Sequence, residues 1–230
     1  MKVYAFIPIK NNSKRLPKKN FLKINDKKLY EIVLNNCVKS DCFDKIIIST
    51  NSNEIIKNSN KIIKNNNKIN VIPREKYLNK KKTSVADISI NLINKFNLKK
   101  NDIFFVIYPT AILINNKIIK NSFREFQSKK LKSMISVQRY ISSPFKALKF
   151  KKNFLKPIFN KDIFKQTNKE YYFSDGGFYW NKVGHFKIYK NFYPKKLNPY
   201  ILNYNQNVDL DDYNDLKRLK DIIKLSNIKF

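Results

Sequence analysis

Two stretches of the sequence hold side chains suited to a polyphosphate. The first is the apolar run Val3-Tyr4-Ala5-Phe6-Ile7-Pro8-Ile9 and the loop after it, where Lys10, Lys14, Arg15, Lys18 and Lys19 stand among Asn11, Asn12 and Ser13. Cations mixed with small amide and hydroxyl groups suit the grip of a triphosphate. The loop has no glycine, which excludes a Walker A loop and a dinucleotide fingerprint. The second stretch is Asn207-Val208-Asp209-Leu210-Asp211-Asp212-Tyr213-Asn214-Asp215-Leu216. Asp209 and Asp211 alternate with apolar residues, so both carboxylates project from one face of an extended segment. Magnesium takes one or two carboxylates together with phosphate oxygens and water. With 17 acidic residues against 48 basic ones, an acidic cluster stands out in this chain. Asp212 and Asp215 fit better as acids at a helix N-terminus.

A third stretch, Ser174-Asp175-Gly176-Gly177-Phe178-Tyr179-Trp180, holds two of the three glycines beside the single tryptophan. Two scarce glycines together imply close backbone approach or unusual φ. His185 is the single histidine and has no evident partner, so it reads as structural. Cys37 and Cys42 are too few for a disulfide framework or a zinc site and read as buried, reduced thiols.

The elements that must position these groups alternate in type. Residues 29–38 have the spacing of a helix, 45–51 read as a buried strand with a polar end, 52–64 as a helix and 69–73 as a short strand. Thr83 or Ser84 is a helix N-cap. Residues 103–111, which include Tyr108-Pro109-Thr110-Ala111, read as the most apolar strand and end in a polar loop. A helix over 114–126, a strand over 132–138 and a helix ending near Leu225 complete the pattern. Alternation of this kind predicts βαβ units and a parallel sheet. Ligands of such sheets bind at the carboxyl ends of the strands. Between Arg139 and Phe173 the pattern gives way to short aromatic runs with Pro144 and Pro157, which predicts an antiparallel excursion. Lys80-Lys81-Lys82 reads as a solvated loop.

The 230 residues fit one domain, and 42% apolar with 14% aromatic content is ample for a core. No stretch reaches the length of a transmembrane helix and no cleavable leader is evident, so a cytoplasmic protein without membrane insertion is expected. The formal charge of +31 raises the possibility of a basic nucleic-acid-binding protein. Against it, only five of the basic residues are arginine, the residue best suited to phosphate and base recognition. The lysines run through every segment beside asparagine and isoleucine, as A/T-rich codons would produce, so no specific nucleic-acid partner is expected.

Ile7-Pro8, Ser13-Lys14, Leu16-Pro17 and Lys19-Asn20 match in spacing the loop Ile-Pro-Ala-Arg-x-x-Ser-Lys-x-(Ile/Leu)-Pro-x-Lys-Asn. On this the chain resembles the CMP-sialic acid synthetase family. Further matches follow in the family's order: Arg74, Leu78 and Thr83; Tyr108-Pro109-Thr110; Gly-Gly-Phe-Tyr-Trp; and Asp209, Asp211 and Asp215-Leu216. Arg15, Tyr108 and Ala111 resemble the branch that activates pseudaminic acid. Lys10 and Lys165 stand where the family has arginine, Asn11-Asn12 where many members have two glycines, and Asn51 where it has aspartate. Lysine keeps the charge but loses the bidentate fork.

The resemblance implies an α/β, Rossmann-like three-layer nucleotidyltransferase fold with a mainly parallel central sheet. It implies a single domain over residues 1–230, carrying a small antiparallel dimerisation arm at 139–173, and hence a homodimer. The implied reaction joins CTP and pseudaminic acid to CMP-pseudaminic acid and pyrophosphate, for surface glycan or flagellin glycosylation. Legionaminic or N-acetylneuraminic acid is the alternative substrate. Lys14, Lys19, Asp209 and Asp211 are the implied catalytic groups, with Mg²⁺ held by the two aspartates. Lys10, Asn12, Ser13, Arg15 and Asn20 would hold the nucleotide together with Arg74 and Thr83. Tyr108, Thr110, Asp175, Phe178 and Tyr179 would hold the sugar, while Lys146, Lys165 and Gln166 would reach it from the arm.

Overall fold

Residue alternation along the first strand, β1 (Val3–Ile9), separates the two hydrophobic layers of the molecule. Val3, Ala5, Ile7 and Ile9 pack into one layer, Tyr4 and Phe6 into the other. A strand buried on both faces reads as a continuous apolar run, and this one has no exposed residue. The computed structural model describes residues 1–230 except 14, 65, 81 and 160–168.

The central sheet adds β2 (Lys45–Thr50), β3 (Ile69–Pro73), β4 (Ile103–Ile107), β5 (Ser133–Arg139), β6 (Tyr172–Lys182) and β7 (Asn198–Leu202). Their order across the sheet is β7-β5-β6-β4-β1-β2-β3. β1 pairs in parallel with β2 and β4, as do β2 with β3 and β5 with β7. β6 is antiparallel to both of its neighbours. Helices α1 (Leu29–Ser40), α5 (Asn116–Ser128) and α7 (Tyr213–Leu225) bury their apolar faces in the first layer. On the other side α4 (Val85–Lys95) and α6 (Val183–Tyr189) supply Leu92, Ile93, Val183 and Phe186. The expected α/β fold with a mainly parallel sheet is thus present. Trp180 lies in the first layer, 4.4 Å from the Phe105 ring and 4.9 Å from that of Phe123, and its indole donates to Ser122 Oγ.

Several local readings differ from the structure. The helix expected over 52–64 is two short ones, α2 (Asn53–Lys57) and α3 (Ser59–Lys64). Between them Asn58 turns its amide back onto the Glu54 carbonyl, the local competition that makes asparagine a poor helix interior. β7 and α6 were not foreshadowed by any periodicity. Residues 207–211 form no strand, yet Val208 and Leu210 are buried while Asp209 and Asp211 are not, so the alternation of faces holds without a ladder. In the 139–173 region a turn at Pro144–Lys146 leads to an antiparallel hairpin of Leu148–Lys151 and Phe154–Pro157, exposed at every strand position.

Candidate active site

The loop after β1 is anchored at its ends and middle. The side-chain amide of buried Asn20 donates to the Lys10 carbonyl at 2.7 Å, and the Asn11 N–H donates to Asn51 Oδ1 at 2.8 Å. Leu16, 1% exposed, plugs the loop into the core. With no glycine available, Lys18 takes the left-handed conformation at φ 51°. The 3₁₀ turn Lys19–Phe21 then directs the Lys19 ammonium to the Leu210 carbonyl at 2.6 Å and to Asp211 Oδ1 at 3.2 Å. The Arg15 guanidinium lies 2.5 Å from the other Asp211 oxygen. The cationic loop and the acid pair, at opposite ends of the sequence, therefore meet over the carboxyl end of β1.

A cavity of about 510 Å³ opens at this point. Lys10, Lys19, Asn20, Arg74 and Thr83 line it. So do Tyr108, Thr110, Tyr179, Asp209 and Asp211. A larger depression at the end of α7 holds lysines and no acid, whereas this cavity holds a pair of carboxylates beside its cations. Arg74 donates to the carbonyls of Ile9 at 3.2 Å and Ser49 at 3.0 Å, tying together the ends of β1 and β2. Its Nε has no partner among the described residues. Burial lowers the pKa of this guanidinium, and a ligand acceptor would relieve the cost.

Asp209 opens onto the cavity and accepts no hydrogen bond from the described residues. Partial burial raises its pKa, the neighbouring Asp211 raises it further, and Lys19 opposes both. Among the described residues no group of three or more His, Cys, Asp or Glu forms a closed metal site. An oxygen-only pair, with one member already drawing two cations, fits Mg²⁺, which keeps water and phosphate oxygens in its shell. Beyond the pair, Tyr108 and Tyr193 lie close to Tyr179, and burial raises the pKa of Tyr179, reinforced by both neighbours. Tyr179 stacks on Phe192 at 4.2 Å.

Other expected residues lie elsewhere. Asn12, Ser13 and Arg15 belong to the same loop without lining the cavity, although Arg15 reaches Asp211. Phe178 is fully buried in the aromatic core, against Phe105 and Tyr200. Asp175 is 1% exposed and its carboxylate is bound by protein donors. Lys146 is exposed in the turn at the foot of the hairpin. Lys14, Lys165 and Gln166 fall outside the described residues. Tyr193, Ser174 and Lys80 line the cavity without having been expected in the site, while Lys80 stays exposed as a solvated loop requires. Tyr193 arrives on the connection from α6 to β7, two elements that sequence periodicity did not reveal.

A doubly wound sheet of this order, with cations and a carboxylate pair meeting over its strand ends, defines a nucleotidyltransferase. The chain belongs to the cytidylyltransferase family, which it matches over residues 4–227. It is 24% identical to the pseudaminic acid cytidylyltransferase of Campylobacter jejuni, over 99% of this chain and 98% of the relative. To the CMP-N,N'-diacetyllegionaminic acid synthase of Legionella pneumophila it is 25% identical, over 92% of this chain and 91% of that one. Its fold is similar to that of CMP:2-keto-3-deoxy-manno-octonic acid synthetase in complex with CTP, at a TM-score of 0.69 and 12% identity, covering 98% and 100% of the two chains. A second structural relative is 2-C-methyl-D-erythritol 4-phosphate cytidylyltransferase of Francisella tularensis, with a TM-score of 0.63 and 17% identity over 96% and 100%.

Proposed function

We propose that the chain activates a nonulosonic acid, with pseudaminic acid the preferred substrate, by transferring CMP from CTP and releasing pyrophosphate. The observation that carries this reading is one cavity lined together by cations, a carboxylate pair and tyrosines, with Lys19 already drawn to Asp211. The anomeric hydroxyl of the sugar attacks the α-phosphorus, the bond from that phosphorus to the β-phosphate oxygen breaks, and the hydroxyl proton is lost. Such a reaction asks the protein mainly for alignment and charge neutralisation. Lys10 and Lys19 neutralise phosphate charge, and Lys14 shares that work. Asn20, Arg74 and Thr83 hold the nucleotide. Asp209 and Asp211 would hold Mg²⁺, which when bound supplies positive charge to the triphosphate.

Tyr108 and Tyr179 border the place of the sugar with flat apolar surface and few hydroxyls. A glutamine at position 108 would offer an amide donor and acceptor instead. Pseudaminic acid, a deoxy sugar with a terminal methyl, suits the less polar wall better than N-acetylneuraminic acid. An unpaired buried polar group costs about 1–3 kcal/mol, which corresponds to discrimination of about fivefold to 150-fold. The test is CTP-dependent pyrophosphate release against a panel of nonulosonic acids. The expected result is the highest kcat/KM for pseudaminic acid and a narrowed ratio to N-acetylneuraminic acid in Tyr108→Gln. Preference for another acid would move the assignment to that substrate, with legionaminic acid the first alternative.

The hairpin supports a homodimer. Phe150, Phe154 and Leu155 are 78%, 69% and 54% exposed on a two-stranded ribbon, a form rarely stable alone in water. A partner subunit covering that ribbon would account for them. Light scattering should give a dimer for the wild type, and Phe150→Lys with Phe154→Lys should give a monomer.

A further inference from the structure

The buried carboxylate of Asp175 has no place in the chemistry described so far. It stands in an irregularity of β6, where the stretch from Ser174 to Tyr179 is matched on β5 only by Val137 to Ile135. Asp175 Oδ1 accepts from Ser136 Oγ at 2.5 Å and from the Gly177 N–H at 3.1 Å. Gln138 Nε2 lies 3.4 Å from Oδ2 and donates to the Asn207 carbonyl at 2.9 Å. The Asn207 side-chain amide donates back to the Asp175 carbonyl at 2.6 Å. Ser136 Oγ in turn accepts from the Phe178 N–H at 2.9 Å. One network thus ties β5, the distorted part of β6 and the segment that leads into the acid pair.

The two glycines locate what this network supports. Gly176 has φ +65°, and a Cβ there would lie 2.6 Å from the Asp209 Cγ. The Asp209 carboxyl occupies the space of the missing side chain. A Cβ on Gly177 would lie 2.6 Å from Ser136 Oγ and 3.1 Å from Asp175 Oδ1, so the second glycine makes room for the network itself. Asp209 is therefore held twice. Its chain is gripped at Asn207, two residues upstream, and its carboxyl rests on backbone that Asp175 and Gly177 fix from both sides.

We infer that Asp175 is a positioning residue for Asp209, acting through Ser136, Gln138 and Asn207, and not a sugar ligand. The inference rests on the reading of Asp209 and Asp211 as the divalent-cation carboxylates. Asp175 makes no hydrogen bond to Asp209 and acts on it through the backbone; outer groups that orient a ligating side chain change metal affinity or activity by about 10–100-fold when removed.

The test uses Mn²⁺ as probe, with CTP present and the sugar omitted so that no turnover occurs. Binding is read from the enhancement of water-proton relaxation. Asp175→Asn keeps the shape but sets an amide N–H toward the Gln138 amide or toward Ser136. Ser136→Ala removes one hydroxyl and leaves the carboxylate, so it carries the test if Asp175→Asn does not fold; Trp180 fluorescence reports the fold. The expected result is a rise of about tenfold or more in the Mn²⁺ concentration at half-saturation, with kcat reduced more than the KM for the sugar is raised. Folded variants with wild-type Mn²⁺ binding, alongside loss of binding in Asp209→Asn, would overturn the positioning role and leave the metal reading intact. A sugar KM raised with Mn²⁺ binding unchanged would make Asp175 a sugar-site residue, which also overturns it. Wild-type Mn²⁺ binding in Asp209→Asn would remove the metal reading, and the inference with it.

Discussion

Asp175 and Asp209 both neighbour Gly176, one along the chain and one across space, and are treated in opposite ways. Asp175 is closed off and supplied with donors from a serine hydroxyl, a glutamine amide and a backbone N–H. Asp209 opens onto the cavity and receives none from the described residues. Both have raised pKa values, from different balances. For Asp175 burial dominates and its hydrogen bonds pull the other way; for Asp209 burial is reinforced by Asp211 and opposed by Lys19. A carboxylate whose acceptor capacity the fold has filled serves the fold. One left unfilled beside a cationic loop is available to a ligand.

The most severe way to break this contrast is Asp209→Asn, which removes the available charge and no core packing. Turnover should fall by about a thousandfold or more while the unfolding midpoint stays near that of the wild type. Wild-type rates at saturating Mg²⁺ would remove Asp209 from the site. Next in size is Gly176→Ala. The added Cβ falls within 2.6 Å of the Asp209 carboxyl, and φ +65° is a poor conformation for alanine, so the carboxyl must shift. Displacement by about 1 Å costs on the order of a hundredfold in rate, measurable as a fall in kcat with little change in the KM for CTP.

The gentlest probe of the contrast is pH. Because the Asp175 pKa is raised on folding, the folded protein keeps this proton to higher pH than the unfolded chain does. Between the ordinary carboxylate range and the raised value, the native state binds more protons, so this group's contribution to stability falls as pH rises. Asp175→Asn abolishes that contribution. Urea unfolding of both proteins from about pH 4 to about pH 7 should show the stability difference moving in favour of the variant as pH rises. A difference that stays constant over that range would place the Asp175 pKa at its ordinary value.

Much was legible in the sequence because it depends on near neighbours. The apolar run of β1, the alternation of Val208, Asp209, Leu210 and Asp211 and the Ser84 cap of α4 follow from local periodicity and capping chemistry. The cationic loop and the acid pair were identifiable from residue type, and the structure brings them together at Asp211. α6 and β7 were not, since neither has a strong period. With them went Tyr193, which reaches the cavity from their connection.

Tertiary structure alone decided between residues of one motif. In the stretch from Ser174 to Trp180 the side chains alternate between layers, and the distortion of β6 sets where that alternation starts again. Phe178 therefore enters the aromatic core while Tyr179 faces the cavity, and Asp175 turns inward while Gly176 leaves its place to Asp209. The amino-acid sequence by itself determined that two glycines were needed there and which charges were available. Which carboxylate was filled and which left free depended on Ser136, Gln138 and Asn207. These residues, from β5 and the approach to α7, become neighbours of Asp175 only when the sheet has formed.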